Sequence, residues 1–185
     1  KTPNGKYMIN WPIYGNDYYV NTIEMDPQER QMAYAKAKNF TLGFVYFIQT
    51  ELGMKNLGLA DDEFPTEDGL ALMPYHRESR RIVGVHTVTG EEYVEAYQYE
   101  DSISRGIHPI DIHASKGTSQ TRIDLTKPAY VPYRALIAPD FPNLLVAGRC
   151  ISTDRPALAS LRVMASCMGT GQAAGVAAAQ SIAEG

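Results

Sequence analysis

Apolar and polar positions along this chain change period several times, and each change predicts an element. The longest pattern is helical. Asp26-Pro27 supplies an N-cap and a proline at the first helical position. A helix is predicted from Pro27 to about Leu52, with Met32, Ala35, Phe40, Phe44, Phe47 and Ile48 as its apolar side and Gly53 as its stop. Residues 5–14 alternate loosely and read as a strand stopped near Pro12. Residues 57–74 carry glycine, proline and acids among few periodic apolar positions, which predicts a surface connection. Arg81 to Thr87 reads as a strand, and Thr89-Gly-Glu-Glu92 as a capping box opening a short helix. One or two strands are predicted within Asp101 to Ile112, and a polar loop or hairpin over 116–127. Ala129 to Ile137 reads as a strand with Pro132 at an edge or bulge, and Asn143 to Val146 as a short buried strand.

The last segment changes the picture most. Residues 163–183 carry no charge, a length that raises the question of a membrane span. Its residues are mostly Ala, Gly, Ser, Thr and Gln rather than Leu and Ile, so a buried helix of a soluble fold is the better reading. A face of small residues formed by Gly169, Gly171, Ala174, Gly175 and Ala178 is expected to pack on a sheet. The helix start, at Leu161, Arg162, Val163 and Met164, offers unpaired N–H groups and a partial positive charge. Gly169-Thr-Gly171-Gln-Ala-Ala174 also fits a loose dinucleotide pattern, but no strand precedes it and no acidic residue follows at the required distance.

With 185 residues, the chain suits one domain, or one domain plus part of another. Its 17 basic and 21 acidic side chains leave a net charge of -4, which argues against a nucleic-acid surface or a polybasic membrane anchor. Cys150 and Cys167 sit in apolar surroundings, lack His or Cys companions at metal-ligand spacing and read as two buried free thiols. No metal site is expected, and the compartment is left open.

Three groups of residues could carry chemistry. On a strand, Asp111 and His113 would face the same way, and a carboxylate beside an imidazole suits a general base. His113 is the first candidate for that role, with Asp111 orienting it and Tyr133 and His108 behind it. His76 and His86 lack such a companion in the local sequence. Arg77, Glu78, Arg80 and Arg81, next to the pocket candidate Tyr75, lie in an unusually polar stretch that could bind an anionic group by forked hydrogen bonds, or form an Arg–Glu network holding a loop. Asn10 and Asp17 are further pocket candidates, and Trp11 reads as core.

Asn10-Trp-Pro12, Asp61-Asp-Glu-Phe64, Tyr75-His-Arg-Glu-Ser-Arg-Arg-Ile82, Asp101-Ser-Ile103, Pro109-Ile-Asp-Ile-His113 and Tyr130-Val-Pro-Tyr-Arg134 occur in this order. Asn143-Leu-Leu-Val-Ala-Gly-Arg-Cys-Ile-Ser152, Ala159-Ser-Leu-Arg-Val-Met164 and Gly171-Gln-Ala-Ala-Gly175 follow. Together they resemble a bacterial FAD-dependent oxidoreductase family, similar to the glutathione-reductase-like flavoproteins, whose members often carry a xanthan lyase label. The resemblance implies a substrate or cap domain over residues 1–138 and, over 139–185, the closing strand and helix of an FAD-binding domain. It implies that Gly148, Arg149, Ser152, Arg162, Val163, Gly171 and Gln172 line the flavin. Tyr75, Arg77, Glu78 and the Asp111–His113 strand would face a small-molecule substrate. The glycine-rich turn that opens such a domain is absent from this sequence.

The expected fold class is α+β: a mixed sheet with packing helices, plus the last strand and helix of an incomplete α/β flavin domain. The expected function is that of a C-terminal fragment of a flavin enzyme that moves a hydride between a small organic substrate and flavin N5. Separated from its N-terminal FAD-binding half, the fragment is expected to be colourless and inactive, with a surface that drives self-association. Two rivals stand beside this reading. One is a polysaccharide lyase using His113, Tyr133 and Arg77; the other is a non-catalytic interaction module.

Overall fold

The computed structural model describes residues 1–10, 17–113 and 119–184. Helices and small antiparallel sheets make the architecture α+β. The chain divides into two compact units, residues 1–75 with 113–119, and residues 76–112 with 120–185. Residues 139–185 therefore share a unit with 76–112 and 120–138.

In the first unit, α1 spans Pro27–Thr50. It begins where the local chemistry predicts. The Asp26 carboxylate accepts from the N–H groups of Gln28 and Glu29, and Glu29 returns a bond to the Asp26 N–H. It ends two residues before the expected limit, and Gly53 turns the chain at φ +68°. The buried stripe differs from expectation. Ala33, Phe44 and Ile48 are buried, whereas Met32, Ala35, Phe40 and Phe47 are exposed. Spacings of eleven and four residues put the three buried positions on one face, and the expected set mixed that face with its neighbours. Phe40 instead meets Tyr18 at 5.3 Å.

Residues 57–74 form an irregular connection, as expected, tied to α1 by Lys38–Asp68 at 2.5 Å. Residues 5–10 form no strand; the start of the chain closes a turn in which Thr2 N–H donates to the Lys6 carbonyl. The rest of that expected strand, with Trp11 and Pro12, lies outside the described residues.

The second unit holds the main core. The capping box at Thr89 and Glu92 opens α2, Gly90–Glu95. β1, Ser102–Gly106, pairs antiparallel with β4, Ala129–Pro132, with an irregularity between Ser102 and Ser104. β2, Ile110–Ile112, pairs antiparallel with β3, Thr121–Ile123. The expected mixed sheet is thus two separate two-stranded sheets. β4 stops early because Pro132 has no N–H to donate, and the chain turns into a 3-10 helix over Tyr133–Leu136.

Two expected strands are absent. Residues 81–87 bend at Val85 and His86, and their N–H groups go to separate places: Ile82 to the Cys150 carbonyl, Val85 to Ile137 and His86 to Arg134. Residues 143–146 form only an isolated bridge, Leu145 with Ile137. An unforeseen helix, α3 at Arg155–Leu161, precedes α4, Met164–Glu184. Its signal is local, an Asp154 cap followed by Pro156.

The core gathers Val88, Tyr93, Ile110, Val131, Leu136 and Ile151, with Ala157 and Leu161 from α3. α4 packs on it through Ser166, Thr170, Ala173 and Ala174. The small-residue face is only partly packed. A Cβ on Gly169 would meet Ser104, whereas one on Gly171 or Gly175 would meet nothing within 4 Å.

Candidate functional site

The loop before α3 and the start of α4 are built around one hydroxyl. Gly148, at φ +73°, donates its N–H to Thr170 Oγ1 at 3.0 Å, and Thr170 in turn donates to the Cys167 carbonyl. Arg149 donates to the His76 carbonyl. Burial pushes the Cys167 thiol up, which keeps it protonated, and it donates towards the Leu161 and Arg162 carbonyls. It thereby covers the end of α3. Cys150, expected to be buried, is exposed.

Besides Gly148 and Arg149, two more of the expected flavin-lining residues are engaged within the protein. Ser152 is fully buried; its Oγ accepts from Gly84 N–H at 2.9 Å and bonds Thr87 Oγ1 at 2.8 Å. Arg162 is largely buried, 3.5 Å from the Asp111 carboxylate, and donates to the Asp111 carbonyl. Its charge therefore ties the α3–α4 junction to β2. Val163 is half-buried at that junction, while Gly171 and Gln172 are exposed on α4.

A groove of about 580 Å³ runs along α4 in the second unit, within the usual size range of small-molecule sites. Ile103 of β1 and Tyr133 form one side; Gly169, Gln172, Val176 and Gln180 of α4 form the other. The structure thus brings Tyr133 and Gln172 together. Gln180 is the member that sequence reasoning missed. Its signal was its place eight residues after Gln172, with Val176 midway, on one face of an uncharged helix.

The acid–base candidates are arranged differently from the expected strand face. β2 ends at Ile112, and His113 lies just beyond it, in the first unit. There its Nδ1 is 2.6 Å from an Asp17 carboxylate oxygen, so the carboxylate beside the imidazole comes from Asp17. The Asp111 carboxylate instead lies beside Arg162. His108 Nδ1 faces the Pro109 carbonyl. His86, expected to lack a companion, has Glu92 at 3.2 Å. In the polar stretch, Glu78 pairs with Arg155 at 3.2 Å, Tyr75 is exposed, and Arg77 is held by its own contacts. Among the described residues no group of three or more His, Cys, Asp or Glu could hold a metal. No described helix is long and apolar enough to cross a membrane.

Comparison with protein families decides the class of chemistry. The chain matches the FAD dependent oxidoreductase family over residues 1–185. It belongs to that family. Searches of curated proteins and of solved structures give no match. Membership implies flavin-linked redox chemistry, and the groove has the features of a flavin surface. Gly169, Ala173 and Ala177 of α4 line the groove beside Gln172 and Gln180, its lining also includes Glu184, and Gly171 and Gly175 lie outside that lining. A planar apolar ring with a polar edge suits such a surface: small residues allow close approach, and amides can both donate and accept at the edge. These residues fit the ring end of FAD.

Proposed function

We propose that this FAD-dependent oxidoreductase chain supplies the ring-side surface for hydride transfer involving a small organic substrate. The groove between α4 and Tyr133 carries the reading, because it joins the small residues Ala173 and Ala177 to a hydroxyl and two amides, with Glu184 also in its lining. When bound, FAD would accept or donate a hydride at N5. Gln172 and Gln180 would bond the ring's polar edge, and Ala173 and Ala177 would permit close approach. Tyr133 would hold or release a proton at its hydroxyl oxygen. Arg162 would fix the α3–α4 junction through Asp111; Gly148, Arg149, Val163 and Gly171 stand outside the groove's lining. In this reading residues 139–185 are the C-terminal piece of the flavin-binding part, and residues 1–138 serve the substrate.

The test uses lumiflavin, the isolated ring system, titrated into the full chain while flavin fluorescence is followed. Saturable quenching is expected. Ala177→Leu, which puts a bulky side chain into the groove, should abolish it, and Gln172→Ala should weaken it roughly three- to tenfold, as expected for one lost hydrogen bond. Failure of lumiflavin to bind, or binding indifferent to both substitutions, would remove the groove from the reaction.

A further inference from the structure

We propose that the Gln180, Ser181 and Glu184 end of the groove is a subsite for the uncharged, hydroxylated chain that a flavin carries on its ring, and that Glu184 keeps phosphate groups out of it. The inference rests on the flavin reading above and adds which part of the ligand stays on α4.

The α4 side of the groove runs from Gly169 to Glu184, all within the second unit. At 1.5 Å per helical residue that stretch is about 22 Å long. Gln172 to Gln180, the pair assigned to the ring's edge, takes up about 12 Å of it. A further turn of helix, with Ser181 and Glu184, lies beyond them.

This end differs chemically from the middle. Ala173, Val176 and Ala177 offer apolar surface, whereas Gln180, Ser181 and Glu184 offer an amide, a hydroxyl and a carboxylate. Positions 180 and 181 precede 184 by four and three, which puts all three on one helix face. None of these side chains is engaged elsewhere among the described residues, and no residue of the lining is basic.

An ionised carboxylate only accepts hydrogen bonds, while an amide and a hydroxyl both donate and accept. Alcohol groups satisfy all three: they donate to Glu184 and exchange bonds with Gln180 and Ser181. A phosphate group brings acceptor oxygens and negative charge. Against Glu184 it meets a like charge, with no cation in the lining to offset it. The groove therefore suits a ring with its hydroxylated chain, and the diphosphate of FAD belongs off this face. Glu184 is exposed, so its effect on binding is modest and weakened by salt.

The experiment uses three fluorescent probes that share one ring. Lumiflavin has no chain, riboflavin has the hydroxylated chain, and flavin mononucleotide ends that chain in a phosphate. Each is titrated into the full chain at low salt. Riboflavin should bind roughly three- to tenfold more tightly than lumiflavin, as expected for an added hydrogen bond. Flavin mononucleotide should bind about threefold or more weakly than riboflavin, and the gap should close as salt is raised. Glu184→Gln should bring the two level, and Glu184→Lys should make flavin mononucleotide the tighter ligand. Ser181→Ala should weaken riboflavin and leave lumiflavin unchanged. Both positions are exposed, so the fold tolerates these changes.

Lumiflavin binding with no gain for riboflavin would overturn the subsite and leave the groove a ring site. So would wild-type protein that holds flavin mononucleotide as tightly as riboflavin, or a phosphate penalty that persists in Glu184→Gln. Failure of lumiflavin itself to bind would refute the groove reading, and the subsite would fall with it.

Discussion

Gly169 of α4 lies so close to Ser104 of β1 that a Cβ at Gly169 would sit 2.4 Å from the serine Oγ and 3.1 Å from its Cβ. A side chain of any size at 169 must push α4 off the β1–β4 sheet. Gly169→Ala should cost about 1–3 kcal/mol, the usual range for overpacking. Adding Ser104→Ala should recover part of that loss by removing the nearer atom. Gly171, two residues on, has open space, so Gly171→Ala should stabilise the helix by up to about 1 kcal/mol. Urea midpoints of the three variants would check this; equal effects at 169 and 171 would contradict the packing.

Asp154 holds two helix starts at once. Its Oδ1 accepts from the Ala157 N–H inside α3 at 2.8 Å, and its Oδ2 from the Gly90 N–H of α2 at 2.9 Å. Gly90 also has to be glycine, since a Cβ there would lie 2.5 Å from Pro156 Cβ. Asp154→Ala removes both bonds and should cost more than an ordinary cap, about 2–3 kcal/mol. Asp154→Asn keeps an acceptor for one N–H and should cost roughly half as much. Thermal unfolding in which the two variants matched wild type would show that the caps are redundant.

Much of this architecture is local chemistry. Asp26, Pro27 and Glu29 announce α1, Thr89 and Glu92 announce α2, and β1 and β2 lie inside the stretch where strands were expected. What stayed hidden depends on partners far along the chain. The N–H groups of residues 82–86 find carbonyls at Cys150, Ile137 and Arg134, so an extended pattern forms no ladder. Phe40 and Phe47 are as apolar as Phe44, and only packing decides which of them faces inward. His113 stood out as a base candidate from its own stretch, but its carboxylate was sought two residues away and came from Asp17 instead. Tyr133 and Gln172 gave no sign of sharing a groove, because the 3-10 helix over Tyr133–Leu136 and α4 meet only in three dimensions.

Arg162 and Asp111 provide a separate test of whether a buried charge serves the fold. The arginine side chain is 9 % exposed and the aspartate 20 %. Removing one partner leaves the other charge poorly solvated, so Arg162→Met alone should cost about 2–4 kcal/mol. Pairing it with Asp111→Asn should return much of that loss, with a coupling of about 1 kcal/mol or more in a double-mutant cycle. Additive losses in urea unfolding would mean that the two charges do not support each other.

The same logic gives the acid dependence a sign. Burial alone would raise the Asp101 carboxyl, but bonds from the Arg134 backbone N–H and guanidinium outweigh it and hold the carboxyl below its ordinary 3.8. Burial also opposes ionisation of Glu92, yet the Thr89 N–H and His86 keep it below 4.5. A group held lower in the folded than in the unfolded chain takes up its proton first in the unfolded chain as pH falls. Its stabilising contribution is therefore complete above the unfolded value and disappears as pH drops through the folded one. The urea midpoint should be level with respect to these two groups from pH 7 to about pH 5, then fall steadily towards pH 3. Asp101→Asn should lower the plateau and make the acid slope shallower, because one of the two proton-linked groups is gone. A midpoint that stays level to pH 3, or a slope unchanged by Asp101→Asn, would show that the Arg134 contact does not stabilise the second unit.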